Sequence, residues 1–351
     1  METDLSMKSQ QQKKLQRLKC FVQNYDWGRL GQDSQVARLS ALNLGAQFDP
    51  DKPYAEFWMG THESGPSFLV SSGENGGLDG SESVTLKSWL SKNPNVLGEK
   101  VLEKWGSDLP FLFKVLSVSK ALSIQAHPDM ELARVLHKLL PDVYKDGNHK
   151  PEMALAVTSF EALCGFISLE ELKSVLRAVP EIVELVGVTY SNLVLNSSDQ
   201  DEENIKSVLR AIFTQLMSAS KEMIVEVVGK LINRLHLESQ VRHLTEKEEL
   251  VLRLEKQYPA DVGLISAFFL NHVKLNPGEA LYLGANEPHA YIHGECIECM
   301  ATSDNVVRAG LTPKHRDVQT LCSMLTYKQG FPEILKGEPL NPYVTKYRPA
   351  F

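Results

Sequence analysis

The sequence predicts a mainly β protein that is interrupted by one block of helices. Short runs of β-branched and aromatic residues, separated by turns, occupy residues 19–165 and return after Asp261. Between Ser168 and Tyr258, apolar residues recur at helical spacing instead. Regular turns between short strands are typical of a double-sheet antiparallel jelly roll. We therefore expect a discontinuous jelly-roll domain over residues 19–165 and 260–325, with a helical insertion over residues 166–259.

The first strand-rich block contains three runs that predict strands, over residues 19–27, 66–71 and 111–118. Residues 71–83 consist of Ser, Gly, Asp, Glu and Asn with a single leucine, which predicts a loop. Two helices are expected inside this block. One begins at Leu86, and the other follows Pro128 with Asp129 as its N-cap.

The helical block begins with a capping box, in which Ser168 precedes Glu171 by three residues. Apolar residues at helical spacing predict further helices over residues 205–216, 224–231 and 245–257. The block has no metal-ligand spacing, so we interpret it as structural. The apolar run over residues 262–270 is about half as long as the ~20 residues that span a bilayer, and it predicts a buried strand.

Composition limits the classes of function. Of 351 residues, 43% are hydrophobic and 23% charged, which is ordinary for a soluble globular protein. The net charge of -7 argues against nucleic acid or an anionic membrane as a partner. Residues 1–18 are basic without an apolar segment, which predicts a flexible tail rather than a secretory signal. With five cysteines, an odd number, we expect a reducing, cytoplasmic location.

Four potential metal ligands lie in three short runs. Gln125 and His127 are two residues apart, so in a strand both side chains point to one face. Glu152 follows a proline and opens a strand-like run, and His289 follows Pro288 at a turn. Such oxygen and imidazole donors suit zinc or a similar divalent ion with one position left open. Spacing alone also allows them to be ordinary core or surface residues.

Three cationic residues lie near these runs or close to a turn. Lys150 precedes Glu152 by two residues, where a metal ion would lower the pKa of its ammonium, but from the residues alone a solvated lysine is the favoured interpretation. Arg308 lies between an apolar pair and a glycine, so we expect it to be half-buried and to need an anion or carboxylate partner. Lys314 lies just past a turn.

Several runs together resemble the type I mannose-6-phosphate isomerases. The most specific are Ser-Ile-Gln-Ala-His-Pro at 123–128, His-Lys-Pro-Glu at 149–152 and Ala-Asn-Glu-Pro-His-Ala-Tyr at 285–291. Further matching runs occupy residues 23–28, 54–67, 297–300 and 303–314. The resemblance extends from about Cys20 to the end in the family's order. It is strongest to the eukaryotic branch, which carries a helical insertion.

The resemblance implies a cupin-like jelly roll that binds one zinc ion and interconverts mannose 6-phosphate and fructose 6-phosphate. That activity supplies mannose 6-phosphate for the synthesis of GDP-mannose and glycans. The family's zinc ligands fall on Gln125, His127, Glu152 and His289. The residues lining its pocket fall on Trp27, Glu56, His62, Lys114, Ser123, Lys150, Tyr291, Glu298, Arg308 and Lys314.

An aldose–ketose interchange through an enediol needs a base and groups that stabilise negative charge. Glu298 is the leading candidate for the base, and His62 is the second candidate, for proton transfer or ring opening. Lys150 and Arg308 are expected to stabilise the developing oxyanion. The residues expected to hold the phosphate are Ser123, Lys114 and Lys314.

The chain ends at Phe351, whereas members of this branch continue into a second jelly-roll domain. We expect residues 326–351 to be the start of that domain and the chain to be less stable without the rest. One alternative is therefore an inactive or weakly active isoform that only binds metal or sugar phosphate. Another is a jelly-roll oxidase or dioxygenase, which Gln125 as a ligand disfavours. We expect a monomer with a small sugar phosphate as its ligand.

Overall fold

The computed structural model describes residues 15–70, 84–198 and 202–349. The loop predicted for residues 71–83 and most of the predicted tail lie outside the described residues. The strands are β1 (Leu18–Lys19), β2 (Phe21–Gln23), β3 (Arg29–Leu30), β4 (Pro53–Tyr54), β5 (Glu56–Met59), β6 (Phe68–Leu69), β7 (Phe111–Val118), β8 (Ile124–Ala126), β9 (Glu152–Ala156), β10 (Phe160–Phe166), β11 (Leu270–Leu275), β12 (Ala280–Leu283), β13 (His289–Ala301), β14 (Val307–Gly310), β15 (Ile334–Leu335), β16 (Glu338–Asn341) and β17 (Val344–Lys346).

The helices lie between strands of the first strand block, through most of the middle of the chain and after β14. They are α1 (Gln35–Leu44), α2 (Leu86–Lys92), α3 (Glu99–Trp105), α4 (Met130–Leu139), α5 (Leu169–Ala178), α6 (Pro180–Val186), α7 (Val188–Asn196), α8 (Glu202–Ser218), α9 (Lys221–Glu238), α10 (Glu246–Glu255), α11 (Gly263–Ser266) and α12 (Val318–Met324). Short 3-10 helices occupy Gly31–Asp33, Pro94–Leu97 and Ala267–Phe269. Among the described residues, no helix is both long and apolar enough to cross a membrane.

A large antiparallel sheet with β13 at its centre holds the fold together. Its main path runs β15-β12-β9-β13-β7-β5-β2, while β8, β10, β11 and β14 join it beside β13. One half of β13 pairs with β10 and the other half with β7 and β9. Gly294 lies between the halves with a φ of 113°, and a Cβ there would lie 2.4 Å from the carbonyl oxygen of Ser159. The mainly β, cupin-like prediction is confirmed, and the described strands do not close into a barrel.

The predicted helical block is also confirmed, because α5 to α10 follow one another without a strand among the described residues. Ser168 and Glu171 form the predicted capping box of α5, and Thr245 and Glu248 form a second one at α10. The largest apolar cluster joins these helices to β8, β10 and β14. Phe213 of α8, for example, packs edge-to-face on Phe166 of β10. The helices and the sheet therefore share one core.

The strand predicted for residues 262–270 is wrong. These residues form α11 and a 3-10 helix, and β11 begins only at Leu270. The whole run is buried, and a segment buried on every side has no alternation that would distinguish strand from helix. The helices predicted at Leu86 and after Asp129 are confirmed, with the Asp129 side chain accepting a hydrogen bond from the Leu132 N–H.

Candidate active site

One cleft of about 460 Å³ gathers almost all of the predicted site residues. The predicted residues that line it are Trp27, Glu56, His62, Lys114, Ser123, Gln125, Lys150, Glu152, Tyr291, Glu298, Arg308 and Lys314. The other two, His127 and His289, are fully buried next to Glu152. Residues from β5, β7, β8, β9, β13 and β14 therefore meet on one side of the sheet.

A potential metal centre forms where β8, β9 and β13 converge. His289 opens β13 and lies opposite Gln125 of β8, while Glu152 opens β9. The Nε2 atoms of His127 and His289 lie 3.4 and 3.3 Å from the two carboxylate oxygens of Glu152. Both Nε2 atoms are buried without a hydrogen-bond partner. Buried polar atoms are rarely unpaired, so this arrangement fits a metal ion held by these side chains.

Both imidazoles are oriented by backbone carbonyls. Nδ1 of His127 lies 2.7 Å from the carbonyl oxygen of Asn305, and Nδ1 of His289 lies 3.0 Å from that of Glu287. These hydrogen bonds place the proton on Nδ1 and leave the Nε2 lone pairs directed at the cluster. Burial lowers the pKa of His127 to about 4, so it is neutral near pH 7. Two imidazole nitrogens with a carboxylate and an amide oxygen are a donor set suited to zinc.

A buried carboxylate–lysine–carboxylate group lies beside the metal centre. Lys114 Nζ lies 2.9 Å from Glu298 Oε2 and 3.3 Å from Glu56 Oε2. The Tyr291 hydroxyl donates to Glu298 Oε1 at 2.9 Å, and Trp58 Nε1 donates to Glu56. Burial raises the pKa of Glu298, which brings it toward the range of a general base. Burial opposes the charge of Lys114, but Glu298 and Glu56 raise its pKa above the usual value.

The remaining charged residues differ in how they are held. Lys150 Nζ lies 3.3 Å from Glu152 Oε1 and is largely buried. His62 accepts a hydrogen bond from the Ser64 N–H on Nδ1, and its Nε2 lies 3.2 Å from Asp304. Arg308 is half-buried, and burial lowers its pKa. Within the described residues its guanidinium makes no hydrogen bond or ion pair, so it is available to an anion in the cleft.

Some residues of the site were not predicted from the sequence. Lys120 and Tyr258 also line the cleft, and the backbone of Asn305 orients a candidate ligand from behind. Asp146 in turn holds Asn305 and Asp304. Asn305 lies inside the run at 303–314 that resembles the family, and Asp146 lies just before the run at 149–152. No other feature of the sequence marked these two residues as part of the site.

Comparison with known proteins decides the family. The family model described as the catalytic domain of phosphomannose isomerase type I matches residues 15–169, and that of its helical insertion domain matches residues 185–270. Mannose-6-phosphate isomerase 1 of Arabidopsis thaliana is 64% identical over 339 residues, covering 97% of this chain and 77% of that protein. This chain belongs to the type I phosphomannose isomerase family.

More distant members of the family also match most of this chain. Mannose-6-phosphate isomerase of Homo sapiens is 47% identical over 88% of this chain and 72% of that protein. A crystal structure of mannose 6-phosphate isomerase from Salmonella typhimurium, bound to substrate (f6p) and a metal atom (zn), superposes with a TM-score of 0.73 at 32% identity. It covers 90% of this chain and 75% of that one. The chain therefore spans about three quarters of the length of these family members.

Proposed function

We propose that this chain is a zinc-dependent aldose–ketose isomerase that interconverts mannose 6-phosphate and fructose 6-phosphate. The observation that carries the proposal is the buried His127–Glu152–His289 cluster, whose unpaired imidazole nitrogens lie beside a cleft lined by Glu298. Two family members that bear this activity in their names are 64% and 66% identical to the chain. An isomerase of this kind needs a metal centre, a buried base and cations, which the same cleft supplies.

Zinc is assigned to Gln125, His127, Glu152 and His289. When bound, it would polarise the sugar oxygens as a Lewis acid. The neutral state of His127 and the two Nδ1 hydrogen bonds to carbonyl oxygens prepare the ligands for it. Lys150, whose ammonium lies beside Glu152, adds positive charge at the same place.

Glu298 is assigned as the base that removes the proton from C2 of the aldose and returns it to C1 to give the ketose. Burial favours proton uptake by Glu298, while the Tyr291 hydroxyl and the Lys114 ammonium fix its two oxygens. His62 is the second candidate, for proton transfer or ring opening. It ranks behind Glu298 because both of its ring nitrogens already contact other residues of the chain.

The remaining assignments concern charge and orientation. Arg308, which lines the cleft and has no hydrogen-bond or ionic partner among the described residues, is assigned to stabilise the enediolate oxygen. Ser123 and Lys314 are assigned to the phosphate. Lys114 is already held by two carboxylates, which favours a role in orienting Glu298 over the predicted contact with phosphate. Trp27 and Glu56 form part of the wall of the cleft.

The domain division is proposed as predicted: a tail over residues 1–18, a catalytic domain over 19–165 and 260–325, an insertion over 166–259 and a further segment over 326–351. The unbroken series α5–α10 supports the insertion. We also propose a cytoplasmic monomer. All five cysteines are free thiols, which suits a reducing compartment. Light scattering of the purified chain tests the monomer.

Glu298→Gln tests the function. The variant should retain zinc and lose roughly 10²–10⁴-fold in kcat, because the amide cannot take the proton. Glu295→Gln is the matched control. Glu295 is buried on the same strand, but it accepts hydrogen bonds from the Ser117 hydroxyl and the Gln35 N–H, outside the cleft. Near-normal turnover in Glu298→Gln would remove Glu298 as the base. A wild-type chain that binds zinc and fructose 6-phosphate without turnover would favour the binding-protein alternative.

A further inference from the structure

We propose that the segment by which the chain leaves the helical insertion positions the phosphate-binding side of the cleft, with Tyr258 and Asp261 as positioning residues. The exit segment, residues 257–263, leads from α10 into α11 and back to the sheet. It contacts two rim segments, residues 120–123 and 310–314, which both line the cleft. The inference rests on the proposed function, which places the phosphate at Ser123 and Lys314.

The strand pairing brings the two rim segments together. In the antiparallel pair of β8 and β14, Ile124 lies opposite Gly310. The chain that precedes Ile124 and the chain that follows Gly310 therefore leave the same end of this pair. Ser123 and Leu311 come next in the two directions, and both line the cleft. A phosphate bound by Ser123 and Lys314 would therefore contact both rim segments.

The exit segment holds the first rim segment through Ala121. The Gln257 side-chain oxygen accepts a hydrogen bond from the Ala121 N–H at 2.8 Å, and the Tyr258 hydroxyl donates to the Ala121 carbonyl at 2.6 Å. The Tyr258 ring also lies under the Lys120 ammonium, 4.6 Å from Nζ to the ring centroid. The nearest carboxylate to that ammonium, Asp26, is exposed and 3.9 Å away. Tyr258 therefore fixes both the backbone and a cation on this side.

Asp261 holds the second rim segment. Its Oδ1 accepts from the Leu311 N–H at 2.6 Å, and its Oδ2 accepts from the Thr312 N–H at 3.2 Å. Leu311 has a φ of 52°, an unfavourable conformation for a leucine that persists only where the surroundings hold it. Gly263 packs directly on Gly310, where an added Cβ would lie 2.6 Å from the Gly263 Cα. The backbone of the exit segment is therefore in direct contact with the backbone of this rim segment.

These contacts connect the exit segment to the proposed binding of the phosphate. Lys120 lies in the same rim segment as Ser123, and Lys314 lies in the other, so two positive charges flank the assigned phosphate position. A phosphate contacts both charges only if their spacing is fixed. The rim segments are loops without a ladder of their own beyond Ile124 and Gly310. Lys120 and Leu122 already donate backbone hydrogen bonds to the carbonyls of Trp27 and Tyr291. The hydrogen bonds that join Gln257, Tyr258 and Asp261 to the two rim segments add a restraint from the exit segment, which therefore does more than fill the core.

Tyr258→Phe and Asp261→Asn test the inference in the zinc-loaded full chain. The first keeps the ring under Lys120 and removes one hydrogen bond, and the second keeps the shape of the side chain. Each should raise both the KM for fructose 6-phosphate and the inhibition constant of inorganic phosphate, by roughly threefold to tenfold. The turnover number and zinc content should stay within about twofold of the wild type. Tyr190→Phe is the control, because that hydroxyl accepts a hydrogen bond from Gln215 inside the insertion.

Three outcomes would overturn the inference. If neither variant changes the KM or the inhibition constant, while Ser123→Ala and Lys314→Ala raise both, the positioning role is wrong and the proposed function stands. If those two variants also leave the inhibition constant unchanged, the phosphate does not bind there and the inference fails with that assignment. If Tyr190→Phe raises both constants as much as Tyr258→Phe, the effect comes from general loosening of the insertion.

Discussion

Asp146 lies outside the cleft lining, yet it determines how one candidate metal ligand is held. Its carboxylate accepts hydrogen bonds from the backbone N–H groups of Asn148 and Asp304, at 2.9 and 2.8 Å, and from the Asn305 amide at 3.3 Å. The carbonyl of Asn305 in turn accepts the hydrogen bond from His127 Nδ1. We predict that Asp146→Ala weakens zinc binding, because it loosens the segment that fixes the imidazole.

The expected magnitude follows from the contacts that remain. The backbone carbonyl of Asp146 still accepts from the Asn305 amide at 2.7 Å, and Asn148 still accepts from it at 3.0 Å. The segment therefore loosens without unfolding. Removing the group that hydrogen-bonds a metal ligand typically weakens binding by 10- to 100-fold, and Asp146 acts one contact further away, so we expect roughly threefold to tenfold. That corresponds to about 0.7–1.4 kcal/mol in the free energy of zinc binding.

Competition with a chromogenic chelator measures the zinc dissociation constant directly and does not depend on turnover. Asp317→Ala is the matched control. Asp317 caps α12 and accepts from the Tyr144 hydroxyl, so it organises nearby structure without reaching a metal ligand. An Asp146→Ala dissociation constant equal to that of the wild type, or a similar loss in Asp317→Ala, would refute the reasoning.

Three further predictions concern the charged groups. Arg308→Ala should keep zinc and lose roughly 10²–10³-fold in kcat, measured by steady-state kinetics, because a charge facing the developing oxyanion is removed; an unchanged kcat would contradict this. Lys114→Met should lower the free energy of unfolding by about 3–5 kcal/mol in urea titrations, because it leaves the buried Glu298 without its cation; equal midpoints and slopes would refute it. The hydrogen bond from His272 lowers the pKa of Glu161 to about 2, so its stabilising effect should be full above pH 4.5 and vanish as the pH falls toward 2. The difference in unfolding free energy between the wild type and Glu161→Gln should thus be about 1–2 kcal/mol at neutral pH and should fall toward zero as the pH approaches 2. A difference that stays constant with pH would contradict this.

The sequence predicted the location of the candidate site well because its main residues lie at strand ends marked by prolines. Gln125 precedes Pro128, Glu152 follows Pro151 and His289 follows Pro288. Proline interrupts a ladder, so side chains beside it are free to point into a cleft. The structure brings these residues together as expected, while their individual roles remain predictions.

The supporting residues were not predictable in the same way. Asp146 and Asn305 are 159 positions apart and meet only because β9 and β13 pair. Tyr258 reaches Ala121 across 137 positions, and nothing in its local sequence distinguishes it from a core tyrosine. The two carboxylates on Lys114 come from different strands, so the ion pairs could not be read from spacing.

The most direct test of the central claim is an assay of purified residues 1–351 with mannose 6-phosphate, with and without a chelator, together with a measurement of bound zinc. We predict about one zinc per chain, as expected of a single four-ligand site. Fructose 6-phosphate formation should stop when the chelator removes the metal and return when zinc is added back. Turnover that persists in metal-free protein would contradict the account, as would stoichiometric zinc without any turnover.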